Sequence, residues 1–429
     1  MLTSFAHHHK PTPSWQPIAI RGVELSIPLQ ELNDVCKYMT VRLFLFWHNI
    51  PVTWVDFNNH YQPITVPQLE TTIASQTWER PIENPGLSDS VPVSIVIATC
   101  DRPTSLQQCL TSLLAQKTTR SVQILVIDNR PTLGKTQPVV NQFEVSKSFT
   151  LTYLTESRPG GSFARNAGFR ASTGEIIITV DDDVTLPPEW LERILAPFVR
   201  SDVSVVTGNL LPGELDTRSQ QIFENYGNGG LGRGFQGFEM GKTWFDKQWL
   251  AVPTWELGAT ANAAFRSEIF HDLRVGLMDE VLGPGMPSGA GEDLYFFYRI
   301  LKANYHLVYE PQAWGWHQHR RTMAELKKQL FNYSKGNIAY HGTVLIQDSD
   351  LRVLPTVFIF LPIYYFKQLF IALFIDRRYP ITLRFTEIAG ILAGPWGLWQ
   401  SHRLIKKLGR GTRLSTETNS PHVPPYQGD

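Results

Sequence analysis

The sequence predicts an α/β protein: a Rossmann-like, mostly parallel sheet with helices on both faces, between a small N-terminal β-containing module and a C-terminal helical, membrane-associated region. Three observations carry this expectation. From Val93 onward apolar strand-like runs alternate with amphipathic helical ones, the pattern of parallel strands joined by crossover helices. The run Ile176 to Val184 is apolar and β-rich until it meets Asp181, Asp182 and Asp183, and ligands of such sheets sit beyond the carboxyl ends of the strands. Past Val353 two long apolar stretches lead into a basic cluster, which raises a membrane.

A chain of 429 residues exceeds one ordinary core, so two or three units are expected. Lys plus Arg and Asp plus Glu number 39 each, which gives no global pull toward nucleic acid. Three cysteines, Cys36, Cys100 and Cys109, form no CxxC pair and fit a reducing compartment better than a disulfide scaffold. The opening residues 1–13, with His7, His8 and His9, read as a polar tail, neither a ligand set nor a secretory signal. The catalytic part is therefore expected in the cytoplasm.

Residues 1–80 hold β-rich runs, Val41 to Trp47 and Val52 to Phe57, separated by Asn49 and Pro51 and followed by an Asn58-Asn59 turn. Residues 81–92 have linker composition. Val93 to Thr99 reads as a buried strand, Ser105 to Leu114 as an amphipathic helix, Val122 to Asp128 as a second strand and Phe149 to Leu154 as a third. The loop Arg158-Pro-Gly-Gly-Ser then leads into a helix over Ser162 to Ala171, and Ile176 onward is the strand that ends in carboxylates. Thr99, Asp101, Asp128, Asn129 and Asp181 to Asp183 would gather on one sheet edge.

Three adjacent like charges repel one another. A hard divalent cation, Mn²⁺ or Mg²⁺, is one reason to hold them together, because it takes carboxylate oxygens and the phosphate oxygens of a nucleotide. A solvated acidic turn is the other reading.

Several motifs stand in order: Val-Ser-Ile-Val-Ile-Ala-Thr-Cys-Asp-Arg-Pro, Leu-Val-Ile-Asp-Asn, Ser-Phe-Ala-Arg-Asn-Ala-Gly, Val-Asp-Asp-Asp-Val, Gly-Ala-Thr-Ala-Asn-Ala-Ala-Phe-Arg and Gly-Glu-Asp-Leu. With them the chain from about Val93 to Gly336 resembles the family 2 glycosyltransferases, inverting nucleotide-sugar enzymes of GT-A fold. The resemblance implies a catalytic domain over 93–336. It implies that Thr99 and Asp128, with neighbouring Asn129, meet the nucleoside, that Arg165 helps to hold it, and that the donor is a UDP-, GDP- or dTDP-sugar. Asp181 and Asp183 would form a DxD-type motif reaching ribose and metal, with Asp182 as an alternative ligand. His317 would complete the metal shell or contact the diphosphate; a hydrogen-bonded loop histidine is the plain alternative.

Gly291-Glu292-Asp293-Leu294 opens an apolar-periodic segment to Leu301, so both acids fall in a first helical turn. Acidic residues also favour such positions for capping alone. The resemblance makes Asp293 the general base, with Glu292 orienting the acceptor or Asp293 itself. No Gln-x-x-Arg-Trp follows His317, unlike in processive synthases, so transfer of one sugar is expected.

Residues 337–414 form the expected membrane-associated region, Val353 to Ile375 and Ile381 to Trp399 being its apolar segments. Pro355, Pro362 and Lys367 interrupt the first, while Arg384 and Glu387 interrupt the second. A spanning hairpin would put Asp376-Arg377-Arg378 outside, against the positive-inside bias. Helices lying on the cytoplasmic face fit better; a buried soluble pair is the third reading. Residues 415–429 read as a disordered tail. The expected activity is metal-assisted, inverting sugar transfer to a glycan or lipid-linked acceptor hydroxyl, with no nucleic-acid partner. The alternatives are a sugar nucleotidyltransferase and a catalytically silent nucleotide-sugar binder.

Overall fold

A computed structural model describes residues 15–82, 85–225, 230–375 and 378–411. His7 to His9, Asp376, Arg377, Arg413 and the 415–429 tail lie outside the described residues. The strands in chain order are β1 (Ile18–Glu24), β2 (Thr40–Trp47), β3 (Ile50–Asn58), β4 (Val93–Thr99), β5 (Val122–Asp128), β6 (Phe149–Thr155), β7 (Ile176–Val180), β8 (Val184–Thr185), β9 (Val203–Pro212), β10 (Phe238–Met240), β11 (Asn262–Arg266) and β12 (His306–His317).

The large sheet runs β6-β5-β4-β7-β11-β9-β12-β10, with β8 also paired to β12. Its first four strands are parallel, whereas β11 is antiparallel to both β7 and β9. Alternate residues of β4 and β5 enter opposite layers: Val96, Leu125 and Ile127 join one core, Ile95, Ile97, Ile124 and Val126 the other. Strands buried on both faces read as continuous apolar runs, which is why their bounds were visible in the sequence. The helix Pro103–Leu114 begins two residues before the expected Ser105 because Pro103 fits the first helical position. Behind β4 lies the helix Gly161–Ala171. A Cβ on Gly168 would stand 2.2 Å from Val96 Cγ1, so only glycine permits that approach.

Outside the large sheet, β1 pairs parallel to β2, and β2 turns antiparallel into β3 through His48 and Asn49, both at positive φ. The module is seated on the large sheet: Phe44 and Phe46 pack with Leu211 and Trp314, and Trp314 Nε1 donates to the Asn49 carbonyl at 3.0 Å. The expected 81–92 linker is fastened in part, since Arg120 donates to the carbonyls of Leu87, Ser88 and Val91 and pairs with Glu192 at 2.6 Å.

Toward the C-terminus the long helix Met323–Asp348 carries the helix Ile381–Leu408 on its side. Gly390 and Gly394 make the approach possible, because a Cβ on them would stand 2.4 Å from the Phe331 carbonyl oxygen and 2.5 Å from Ile338 Cβ. Arg384 and Glu387 are buried and pair at 2.8 Å, and Tyr379 donates to the same carboxylate. Of the two expected apolar segments, Val353–Phe374 alone among the described residues is long and apolar enough to cross a membrane. It carries Phe358, Ile359, Ile363, Phe366, Phe370 and Phe374 exposed.

Candidate active site

Strand register assembles the site. Thr99 at the end of β4 aligns with Asp128 at the end of β5, and Asp128 aligns with Thr155 of β6. Parallel pairing of β4 with β7 brings the carboxylate triplet beside them. The turn after β7 enters β8, which runs antiparallel to the end of β12 with His317 opposite Val184. His317 is thereby set next to Asp183, 134 positions earlier in the chain.

The three carboxylates diverge instead of sharing one point. Asp181 Oδ1 accepts from Arg165 Nη2 at 2.6 Å. Asp182 accepts from the Thr99 hydroxyl at 2.6 Å and from Arg102 Nη1 at 3.0 Å. Asp183 Oδ2 accepts from the same Arg102 nitrogen at 2.7 Å, and Arg320 stands 3.6 Å away. Burial and then the charge of Asp183, against the pull of Arg102, push Asp182 up to about 6. Burial also acts to raise Asp183, but His317, Arg102 and Arg320 hold it below the usual carboxylate range. Asp182 thus follows its burial, whereas the several cationic partners of Asp183 outweigh the same burial.

Asp128 is buried; it accepts from the Arg130 amide at 2.9 Å and the Tyr153 hydroxyl at 3.0 Å. Burial and this carboxylate push the Tyr153 phenol up to about 12. Asn129 braces a loop: its amide nitrogen donates to the carbonyls of Glu156 and Arg158, and its oxygen accepts from Gly160 N–H. Arg165 is buried and bridges, reaching Glu292 Oε1 at 3.3 Å as well as Asp181.

Glu292 and Asp293 open the helix Glu292–Lys302. Gly291 precedes them at φ 98°, and a Cβ there would stand 2.7 Å from the Gly336 carbonyl. Asp293 Oδ1 accepts its own helix's Leu294 N–H at 2.8 Å. Burial, then the neighbouring Asp293 charge, pushes Glu292 up to about 7, against Arg165. Asp293 is raised by the same desolvation, also opposed by Arg165.

Among the described residues no group of three His, Cys, Asp or Glu stands arranged around a metal position; Asp181 is bonded to Arg165. Two donors remain together. Asp183 Oδ1 is buried without a hydrogen-bond partner and lies 3.4 Å from His317 Nε2. Burial lowers His317 to about 4, so near neutral pH its ring is an uncharged nitrogen ligand. A carboxylate oxygen suits Mn²⁺ or Mg²⁺, which take remaining ligands from water and phosphate; the neutral imidazole beside it is a nitrogen donor better suited to a transition ion such as Mn²⁺ than to Mg²⁺.

Sequence reasoning put Thr99, Asp101, Asp128, Asn129 and Asp181 to Asp183 on one sheet edge; strand register sets Thr99, Asp128 and the triplet side by side with Asn129 next in the chain, Asp101 is paired with Lys135 at 2.6 Å, and Arg165, Glu292 and His317 reach the triplet or one another through ion pairs. It missed Arg102, Tyr153 and Glu224 as polar partners, and it set His319 well behind His317. For Arg102 the signal was its place three residues past the first strand. In the Gly-Ala-Thr-Ala-Asn-Ala-Ala-Phe-Arg motif, Asn262 bonds the carbonyls of Asn209 and Ala313, and Arg266 those of Phe198, Arg200 and Val203. Both brace the sheet.

The chain is similar to known proteins. The family model Glycosyl transferase family 2 matches residues 94–273. Glycosyltransferase AglE of Haloferax volcanii is 26% identical over 254 residues, 57% of this chain and 73% of that protein. The pre-mycofactocin glycosyltransferase of Mycobacterium tuberculosis is 26% identical over 60% of this chain, which spans 48% of that relative's length. A solved structure of the mannosyltransferase PcManGT from Pyrobaculum calidifontis, in complex with GDP-Man and Mn²⁺, is similar at 14% identity and TM-score 0.44, over 80% of this chain and 81% of that one.

Proposed function

We propose that this chain, a member of glycosyl transferase family 2 through residues 94–273, transfers one sugar from a nucleotide sugar to an acceptor hydroxyl with inversion. The observation that carries the reading is the Arg165 bridge. One guanidinium contacts Asp181, beside the proposed donor edge, and Glu292, beside the proposed base, at 2.6 and 3.3 Å. Donor and base are then held within one side chain's reach, as a single displacement requires.

In this reading Thr99, Asp128 and Asp182 line the nucleoside end. Asp183 and His317 would hold a divalent ion, Mn²⁺ or Mg²⁺, which would supply charge stabilisation for the departing diphosphate. Arg102 and Arg320 supply further positive charge there. Asp293 takes the acceptor proton as the hydroxyl attacks the anomeric carbon, and Glu292 orients Asp293 or the acceptor. A panel of UDP-, GDP- and dTDP-sugars should reveal at least one donor that stabilises the protein thermally with Mn²⁺ and supports transfer to a glycan or lipid-linked acceptor. Stabilisation by a donor without transfer to any acceptor would favour the silent binder instead.

We place the enzyme on the cytoplasmic face of a membrane. The segment Val353–Phe374 exposes apolar side chains, and the last helix exposes Trp396, Trp399, Arg403, Lys406 and Lys407, with Arg403 over the Trp399 ring, a composition suited to the headgroup boundary. Because Ile381–Leu408 closes over the Met323–Asp348 helix, truncation would uncover core. Replacing Phe358, Phe366, Phe370 and Phe374 together by Gln tests the surface alone. The intact protein should sediment with anionic vesicles and be released only partly by high salt, since apolar burial is not screened; the variant should remain in the supernatant. Equal sedimentation of both would reject this surface.

A further inference from the structure

Behind the proposed metal donors runs a buried polar relay that the sugar-transfer chemistry does not use. His317 Nδ1 lies 2.9 Å from His319 Nδ1, and His319 Nε2 lies 3.0 Å from Glu224 Oε2. Glu224 Oε1 in turn lies 3.8 Å from Nη1 of Arg42, a buried residue of β2 whose guanidinium also forks onto Asp56 at 2.8 and 2.9 Å. The relay thus starts in the N-terminal module and ends at the candidate metal pair.

The distances along it admit two proton arrangements. In one, His319 donates from Nε2 to Glu224 and accepts at Nδ1, so the proton between the two rings is on His317 Nδ1; in the other, His319 donates from both nitrogens and His317 carries its proton on Nε2. In the first, His317 Nε2 is left as a bare lone pair, 3.4 Å from Asp183 Oδ1, itself buried without a hydrogen-bond partner. Two electron-pair donors facing each other in a dry site repel, and a cation between them removes that repulsion. Adjacent donors of an octahedral ion with bonds of about 2.1 Å stand about 3 Å apart, close to the separation found.

We propose that His319 and Glu224 are positioning residues that lock His317 in its Nδ1–H tautomer. Nε2 of His317 and Oδ1 of Asp183 are thereby presented together to a hard divalent cation, and Arg42 of the N-terminal module holds the far end of the relay. This rests on the metal reading above. Partners of this kind set ligand orientation and tune metal affinity by roughly 10- to 100-fold.

The test uses the full chain and Mn²⁺ alone. Ring ¹⁵N shifts of His317 in metal-free protein report the tautomer, and the electron paramagnetic resonance signal of free Mn²⁺ reports binding. His319→Phe keeps a ring against Phe223, now 4.8 Å away edge-on, but offers no acceptor. His319→Asn returns an amide oxygen near the place of Nδ1. Wild type should show the Nδ1–H form of His317; His319→Phe should lose it and bind Mn²⁺ about tenfold or more weakly, and His319→Asn should recover both. A packing role alone would lower thermal stability in the Phe variant without moving the tautomer or the affinity. His317 protonated on Nε2 in wild type, or Mn²⁺ binding by His319→Phe equal to wild type, would overturn the relay alone. No Mn²⁺ uptake by wild type would overturn the metal reading and this inference with it.

Discussion

Asp293→Asn is expected to lower turnover by about 10² to 10⁴ while donor affinity barely changes. Asn keeps the size of the side chain and can still accept the Leu294 N–H that Asp293 takes at 2.8 Å, so the helix start survives. It cannot take a proton. The proposed donor contacts at Thr99, Asp128, Asp182 and Asp183 belong to strand ends and the turn after β7 and remain intact. The pH profile adds a second readout. Glu292 is pushed up to about 7 and Asp293 is raised beside it, so the two acids titrate as a pair with apparent values belonging to both. A base works only when ionised; turnover of the wild type should therefore fall as pH drops through the neutral region and level off above it. Removing the charge of Asp293 relieves Glu292, so any residual activity of the variant should lose its dependence at a lower pH. Near-normal transfer by Asp293→Asn would exclude it as the base.

The nucleotide-side half of the sheet was legible because its signal is local. In β4, β5 and β7 nearly every residue is apolar and each strand is buried on both faces, so the run itself marks the strand. Where pairing partners are distant the signal faded. β11 runs against the direction of β7 and is flanked by β9, and neither strand is visible from local pattern, since antiparallel insertion depends on chain returning across 56 to 90 residues. β1 was missed for the same reason, its partner β2 lying parallel beyond a long connection. The acidic triplet was visible as a site, but its division was not. Which guanidinium meets which carboxylate depends on where Arg102, Arg165 and Arg320 arrive from three separate elements. The pair Arg384 and Glu387 looked like an obstacle to an apolar segment. Their i, i+3 spacing lets them neutralise each other on the buried side, and that explains the segment without a membrane around it.

Asp183→Ala is the second large effect, and it should separate from Asp293→Asn by harming donor binding and turnover together. Asp183 offers the buried oxygen without a hydrogen-bond partner and also accepts from Arg102 at 2.7 Å. Its removal takes one of the two proposed protein ligands from the metal and leaves His317 facing a void. Titration calorimetry of the wild type with the matching nucleoside diphosphate should show binding at least tenfold tighter with Mn²⁺ than with chelator, a difference of about 1.4 kcal/mol or more. Asp183→Ala should abolish that difference, binding equally weakly in both conditions. The variant also leaves Arg102 with Asp182 as its nearest acid, so a melting curve is needed to show that the fold persists. A folded Asp183→Ala protein that still binds tenfold tighter with Mn²⁺ would move the ion to another carboxylate. Equal wild-type affinity with and without the ion would remove the metal from the mechanism, leaving Arg102 and Arg320 as the positive charge that meets the diphosphate.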